Sequence, residues 1–246
     1  MTAWTIFWWI VLPYLSMVLF VVGHVWRWRY DQFGWTSRST QLQERRWLKW
    51  GGPIFHYGAL AAIGGHVLGI LIPKSWTTAI GIPENVYHNF AAIAGFVAAI
   101  LVIGGMVVLA ARRVFAPRVR ATTSPVDWVA LIALGIVVVL GIIPTVRNMV
   151  GSPYDYRESI SLWFRGLFTA HPDVHLAEKA PLVYQIHAIS AWVLFGIWPF
   201  TRLVHVWSYP LWYLWRPYIV YRQRKAEPPS EPGAGGRKWR KIGVPY

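Results

Sequence analysis

Cysteine is missing from this chain, and charged residues are scarce. None of its 246 residues is Cys, which excludes disulfides, thiolate zinc sites, Cys-held iron–sulfur clusters and thiol-attached c-type haem. Only 14% of the residues are charged, whereas a soluble domain carries about 25%. The chain is 55% hydrophobic and contains 17 Trp, a residue that gathers at membrane–water boundaries. This composition predicts an integral membrane protein.

Five stretches are long and apolar enough to cross a bilayer as helices of about 20 residues. They cover residues 4–26, 53–71, 90–111, 126–144 and 182–204, numbered spans 1 to 5. The first stretch has no basic leader or cleavage motif, and we interpret it as a retained span. We predict an all-α integral membrane protein with a five-helix membrane domain over residues 1–225. We expect residues 226–246, which are basic and rich in Pro and Gly, to form a cytoplasmic tail.

Charge divides unevenly between the two ends of this predicted bundle. The segments after span 1, between spans 3 and 4, and from the end of span 5 onward carry 19 of the 24 Lys and Arg, together with Asp127 at the start of span 4 and four other acidic residues. The opposite segments carry five basic and five acidic residues. We call the first end the basic face and the second the neutral face. Because basic connections remain in the cytoplasm, we predict a cytoplasmic C-terminus and an N-terminus outside. Binding to nucleic acid is not expected, since the basic residues flank membrane segments.

Four of the eight His lie in or at the end of two spans, where a polar ring is costly and usually functional. His56 and His66 are in span 2, and His187 and His205 are in span 5 or at its end. Because these spans run in opposite directions, His66 is expected level with His187, and His56 level with His205. Two facing imidazoles can hold one iron axially. The four side chains therefore predict two iron sites at different depths in the membrane.

The spacing of these His fits only approximately. At 1.5 Å per residue, His56 and His66 are about 15 Å apart, and His187 and His205 about 27 Å. We expect helix tilt, and the position of His205 near a helix end, to absorb the difference. Six glycines lie around His56 and His66 of span 2. They either admit a flat macrocycle or serve close helix packing; they are Gly51, Gly52, Gly58, Gly64, Gly65 and Gly69.

Four sequence blocks resemble the cytochrome b (gamma) subunit of membrane-bound respiratory nitrate reductase. They are FAPRVRATT (115–123), PFTRLVHVWSYP (199–210), RYD (29–31) and the GGHxxG pattern (64–69). The resemblance covers about residues 1–225. It implies an oxidoreductase subunit of nitrate respiration in a prokaryotic inner membrane, with two b-type haems. By this resemblance His66 and His187 would ligate the outer, distal haem, and His56 and His205 the inner, proximal haem.

The resemblance also implies a path for electrons. Quinol is oxidised near the outer haem, and electrons pass inward to an iron–sulfur subunit and then to a molybdenum subunit that reduces nitrate. Arg112, Arg202 and Arg38 are expected beside the haem propionates, because guanidinium groups bind carboxylates well. The positive-inside rule alone would also account for these arginines.

The chain departs from the family pattern at the expected quinol site. The family carries a lysine linked to quinol binding between spans 2 and 3, whereas this chain has Tyr87 near that position and His88 beside it. Lys74 is the only Lys in this connection. We expect Lys74, His88 or a haem propionate to hydrogen-bond quinol, in a site that also includes Tyr87, with Gly65 and Gly69 leaving room for the quinone ring.

Two other functions fit the same sequence features. One is a quinol-oxidising anchor for a reductase of a different oxyanion or for a related reductase with other catalytic subunits. The other is a transporter or channel with a relay of His side chains in the membrane. Transporters often contain inverted repeats and broken helices, and the sequence shows neither. Absorption bands of b-type haem would separate the redox functions from the transporter.

Overall fold

The five apolar stretches form five long helices in the computed structural model, which describes residues 2–36, 39–151 and 154–207. Each helix is long and apolar enough to cross a membrane. Throughout the described residues the regular structure is helical, so the prediction of an all-α chain with five candidate spans is confirmed. Arg38 and the tail over residues 226–246 lie outside the described residues. The helices are span 1 (Ala3–Tyr30), span 2 (Arg46–Leu71), span 3 (Glu84–Phe115), span 4 (Pro125–Val150) and span 5 (Leu182–Phe200).

The bounds of spans 2 and 5 differ from those predicted. Span 2 begins at Arg46 rather than at Pro53, and the Glu44 carboxylate, one residue before the N-cap Arg45, accepts a hydrogen bond from the Trp47 backbone N–H in the first turn at 2.9 Å. Span 5 was predicted to continue to residue 204, which is wrong. Thr201 has an extended backbone (φ −114°, ψ 178°) that ends the helix, and a separate 3-10 turn, Arg202–Val206, follows.

Short helices occupy the connections. They are Lys74–Ala79, Pro117–Ala121, Ile160–Phe168 and Val174–Glu178. We call Ile160–Phe168 the loop helix. Its side chains Trp163 and Leu167 are almost fully buried in an apolar cluster with Trp9 of span 1 and Trp192 of span 5. The connection between spans 4 and 5 is therefore packed against the bundle.

Spans 2 and 3 pack closely because each presents a glycine to the other. A Cβ at Gly58 would lie 2.7 Å from the backbone nitrogen of Val102, and a Cβ at Gly105 would overlap the backbone of Phe55. This is the small-residue packing typical of membrane helices. The close backbone packing continues from span 3 to span 4, then to span 5 and span 1. Among the described residues, spans 2 and 5 are not a closely packed pair.

Large apolar side chains cover the outside of the bundle. Val21, Val22, Ile93 and Ile132 are all well exposed. Soluble proteins rarely leave such wide apolar surfaces in contact with water. The surface therefore suits a bundle that is surrounded by lipid.

Candidate functional site

Two pairs of imidazoles face each other, one between spans 2 and 5 and the other between span 2 and the 3-10 turn that follows span 5. The ring centroids of His66 and His187 are 6.0 Å apart, and those of His56 and His205 are 6.1 Å apart. A His nitrogen lies about 2 Å from a bound metal ion, so two rings on opposite sides of one ion have centroids about 6 Å apart. Both separations therefore suit an iron held between two rings, although ligation by these residues stays a prediction.

Backbone carbonyls set the tautomer of three of these rings. The Nδ1 atoms of His56, His66 and His205 each form a 2.7 Å hydrogen bond to a carbonyl of their own chain segment. Because a carbonyl only accepts, each Nδ1 carries the proton and each Nε2 keeps its lone pair. This is the tautomer that a metal ligand needs, and the carbonyl also fixes the ring plane. The three carbonyls belong to Gly52, Ala62 and Arg202.

The ring of His187 is positioned by a steric contact and not by a well-aligned hydrogen bond to a backbone carbonyl. Its buried Nδ1 forms no well-aligned hydrogen bond among the described residues. A Cβ at Gly141 of span 4 would lie 2.8 Å from Cε1 of this ring. Gly141 thus makes room for His187 between spans 4 and 5. Sequence reasoning missed Gly141, because a glycine among Val, Ile and Leu residues does not indicate which side chain it contacts.

His205 lies beyond the end of span 5, so its distance from His187 is not set by a single helix. Arg27 of span 1 is buried and donates 2.7 Å hydrogen bonds to the carbonyls of Pro199 and Thr201. These contacts hold the break at Thr201, so the chain from His187 to His205 is not one continuous helix. The predicted helical distance of about 27 Å therefore does not apply. Sequence reasoning missed Arg27, whose signal was an arginine in the last turn of an apolar span.

Arg112 connects span 3 to the preceding loop on the basic face. Its guanidinium donates to the Glu44 carboxylate at 2.7 Å and to the Thr40 hydroxyl at 2.9 Å, and its side chain is 5% exposed. Burial alone would raise the pKa of Glu44, but hydrogen bonds from the Trp47 N–H and from Arg112 lower it below its usual value. Arg112 therefore has an observed role in fixing this loop, and its contact with a propionate stays a prediction.

Asp127 lies between two further arginines on the basic face. Its carboxylate oxygens are 3.5 Å from the guanidinium groups of Arg113 and Arg202. Asp127 also completes a capping box with Ser124 at the start of span 4. Since the Arg202 carbonyl accepts from His205, this ion cluster adjoins the proximal pair of rings. Contact between Arg202 and a propionate stays a prediction.

The glycines near His66 have different surroundings. A Cβ at Gly64 or Gly65 would meet no heavy atom within 4 Å, whereas one at Gly69 would lie 3.0 Å from the ring of Tyr156. The flank of span 2 at Gly65 is therefore accessible to a flat ligand, and Gly69 is covered by an aromatic ring. Close packing therefore accounts for Gly69, whereas admission of a flat macrocycle at Gly64 and Gly65 stays a prediction.

An open pocket of about 370 Å³ lies beside this region on the neutral face. The guanidinium carbon of buried Arg157 lies 3.8 Å from the centre of the Tyr87 ring, and Arg157 also pairs with Glu84 at 3.2 Å. His88 Nε2 is 3.3 Å from a backbone oxygen of span 4. The residues that line the pocket are Glu84, Asn85, Tyr87, His88, Asn89, Tyr154, Asp155, Tyr156 and Arg157.

Lys74 lies next to this pocket and is held by two carboxylates. Its Nζ is 2.8 Å from Asp155 and 2.9 Å from Glu158. The hydrogen bonds to these carboxylates raise the pKa of Lys74. Burial opposes ionisation of Asp155, but the contact with Lys74 lowers the pKa of this carboxyl overall. Lys74 is thus a fixed positive charge.

The fold and the rings define a class of protein: a membrane bundle of five helices with two opposed His pairs. The chain matches the nitrate reductase gamma subunit family over residues 5–224. It is 43% identical to the nitrate reductase gamma chain of Bacillus subtilis, over 88% of this chain and 97% of that one. It is 33% identical to the respiratory nitrate reductase 1 gamma chain of Escherichia coli, over 87% and 95%. The chain belongs to the nitrate reductase gamma subunit family.

A third relative has a different length. The chain is 45% identical to the nitrate reductase-like protein NarX of Mycobacterium tuberculosis, over 88% of this chain but only 34% of that one. The family assignment confirms the resemblance read from the sequence. It makes the chain an electron-transfer subunit of respiratory nitrate reductase, of the cytochrome b kind, that associates with other subunits of the enzyme.

The described residues also fit haem better than a metal ion bound by protein alone. Across the described ranges, no group of three or more His, Asp or Glu could hold a metal ion. A haem iron needs only axial ligands from the protein, and opposed imidazole pairs provide two for each iron.

Proposed function

We propose that this chain oxidises quinol near its neutral face and passes electrons through two b-type haems to an iron–sulfur subunit of a nitrate reductase that faces the cytoplasm. The observation that carries this proposal is the presence of two opposed imidazole pairs at different depths, formed by span 2 with span 5 and with the turn that follows it. Family membership favours nitrate over another oxyanion as the final acceptor, and electron transfer over a His-relay transporter.

The four His would be the axial ligands, with His66 and His187 at the distal haem and His56 and His205 at the proximal haem. Haem supplies one-electron chemistry that these side chains lack. The protein's part is to fix ring planes and tautomers. In three of the rings, the hydrogen bond from Nδ1–H to a backbone carbonyl makes Nε2 a stronger lone-pair ligand for iron. The fourth ring, that of His187, is confined by its close contact with Gly141.

Quinol would bind on the neutral face, beside the distal pair. Tyr156 connects the pocket to this pair, because it covers Gly69, one turn after His66, and stacks on Tyr184, one turn before His187. The open flank at Gly65 provides room for the quinol ring at the same level.

Three polar side chains at or near the pocket would have two different roles towards quinol. Lys74 is kept protonated by its carboxylate partners, which suits it to donate a hydrogen bond and not to accept a proton. His88 and Tyr87 line the pocket, and imidazole is the side chain best suited to accept a proton near neutral pH. We therefore assign proton acceptance to His88 and hydrogen bonding to Lys74 and Tyr87.

The basic face would lie in the cytoplasm, as the positive-inside rule requires. The proximal pair is at this end of the bundle, next to the ion cluster of Asp127 with Arg113 and Arg202. An iron–sulfur subunit docked there would receive electrons from the proximal haem and deliver them to the molybdenum subunit.

The test is spectroscopic and uses the intact purified complex. The unaltered complex should contain two b-type haems per chain. His66→Ala or His187→Ala should leave one haem and abolish nitrate reduction by quinol, while an artificial donor to the soluble subunits still supports it. His56→Ala or His205→Ala should remove the other haem and also interrupt the quinol reaction.

His171→Ala is the matched control, because His171 is exposed and its Nδ1 bonds only the nearby Thr169 carbonyl. It should keep both haems and full activity with quinol. Retention of two haems in all four ligand variants would contradict the assignment.

A further inference from the structure

The loop helix (Ile160–Phe168) hydrogen-bonds backbone carbonyls at the neutral-face ends of spans 1 and 2. The Trp163 Nε1–H donates to the Trp9 carbonyl at 3.1 Å. The Ser161 hydroxyl donates to the Gly69 carbonyl at 3.0 Å, and the Arg165 guanidinium donates to the Ile70 carbonyl at 2.8 Å. One short helix thus contacts the main chain of two different spans.

These carbonyls need partners for reasons visible in the sequence. The residue four positions after Trp9 is Pro13, which has no N–H to donate, and span 1 forms a π turn here over Phe7–Val11. Span 2 ends in a second π turn, Val67–Leu71, and Ile72 is already extended. The last carbonyls of a helix have no partner within it, and such groups are costly near a membrane interior.

The π turn of span 2 begins directly after His66, the last residue of its regular α-helix. Ser161 and Arg165 hold two consecutive carbonyls of this turn. These two hydrogen bonds fix the backbone that follows His66. They therefore restrict how the His66 ring can tilt towards His187.

The loop helix is itself firmly anchored. Trp163 is 1% exposed and Leu167 is 2% exposed, both within the apolar cluster around Trp9. The Tyr14 hydroxyl of span 1 donates to the Leu167 carbonyl at 2.9 Å. The helix can therefore transmit the position of span 1 to the end of span 2.

We propose that Ser161 and Arg165 are positioning residues that hold the π turn after His66 and thereby set the geometry of the distal imidazole pair. This inference rests on the proposed function, because it treats His66 as a haem ligand. Among the described residues neither side chain hydrogen-bonds the distal rings, and both act through the backbone of span 2.

The test compares Arg165→Met, Ser161→Ala and the double variant in the intact complex. Arg165→Met removes the donor but keeps an apolar stem, and Arg165→Lys restores a donor. We expect the electron paramagnetic resonance signal and midpoint potential of the distal haem to shift while those of the proximal haem stay constant. Amide hydrogen exchange over residues 67–72 should become about fivefold to tenfold faster for each hydrogen bond lost. Arg165→Lys should restore both measurements.

Leu162→Ala is the control on the same helix, since Leu162 is exposed, and it should change neither haem. An unchanged distal signal in the double variant despite faster exchange would overturn the inference, and so would equal shifts at both haems. Absence of two haems in the unaltered complex would instead overturn the proposed function, which separates the two failures.

Discussion

The ring of His187 lies directly against Gly141, so that a Cβ added to the glycine would be 2.8 Å from Cε1 of the imidazole. Span 4 therefore takes part in the distal site although it contributes no candidate ligand. The backbone of span 4 forms one wall of the space that the ring occupies, and the absence of a side chain there sets the position of the ring.

Gly141→Ala should displace His187 and remove or strongly perturb the distal haem. Overfilling a packed site costs about 1–3 kcal/mol or moves the neighbouring group, and the neighbouring group here is the ring itself. Haem content per chain and quinol-driven nitrate reduction are the measurements. Gly135→Ala on the same span is the control, because its Cβ would meet Met106 at an ordinary 3.7 Å. Two normal haems in Gly141→Ala would refute a shaping role for this glycine.

Arg27→Met should weaken the proximal pair. The substitution leaves the carbonyls of Pro199 and Thr201 without their 2.7 Å donor, and each unsatisfied buried group costs about 1–3 kcal/mol. The break at Thr201 should then relax and carry His205 away from His56. We expect selective loss of the proximal haem signal, measured by redox titration of the complex.

Arg29→Met provides the comparison for Arg27→Met. Arg29 lies in the same last turn of span 1 but is exposed, so its replacement should leave both haem signals intact. Equal effects of the two substitutions would show that positive charge, and not the contact with span 5, is what matters.

The ion pair between Lys74 and Asp155 should make the free energy of unfolding decrease at low pH. The folded state lowers the pKa of Asp155, chiefly through Lys74 against the opposing effect of burial. Its contribution is therefore complete above the unfolded value of about 4 and is lost as the pH falls through the lower folded value. The raised pKa of Lys74 keeps its own contribution complete below about pH 10.

Thermal unfolding of unaltered protein and of Asp155→Asn measures this dependence. The unaltered protein should be slightly more stable at pH 7, and the difference should shrink below about pH 4. The effect should be small, because Asp155 is 40% exposed and exposed ion pairs are weak. A difference that persists unchanged into strong acid would assign it to packing and not to charge.

Much of the fold could be predicted because the spans are set by apolar length alone. The pairing of the His side chains by depth in the membrane could also be predicted, because spans 2 and 5 run in opposite directions and the start of one lies beside the end of the other. The break at Thr201 could not be predicted, because it depends on Arg27 of a distant span. The role of Gly141 was equally hidden, since a glycine in an apolar span gives no sign of which ring it faces.

The contacts of Arg112 with Glu44 were missed for a related reason. An arginine at the end of a span satisfies the positive-inside rule whether it is solvated, bound to a cofactor or paired within the protein. Only the folded position of the 39–45 loop shows that Arg112 is paired. Local sequence can therefore place a charge at a membrane face, but long-range packing decides its partner.

Gly105→Ala should separate spans 2 and 3 and so disturb both candidate sites at once, because span 2 carries His56 and His66. A Cβ at Gly105 would overlap the backbone of Phe55, which cannot move aside as a side chain can. We expect a loss of about 1–3 kcal/mol or more in stability, seen as a lower unfolding temperature and reduced haem content. The adjacent Gly104 is the control, since a Cβ there would meet no heavy atom within 4 Å. Gly104→Ala should be tolerated, and equal damage from both substitutions would mean that helix flexibility, and not close backbone approach, is the reason for glycine at position 105.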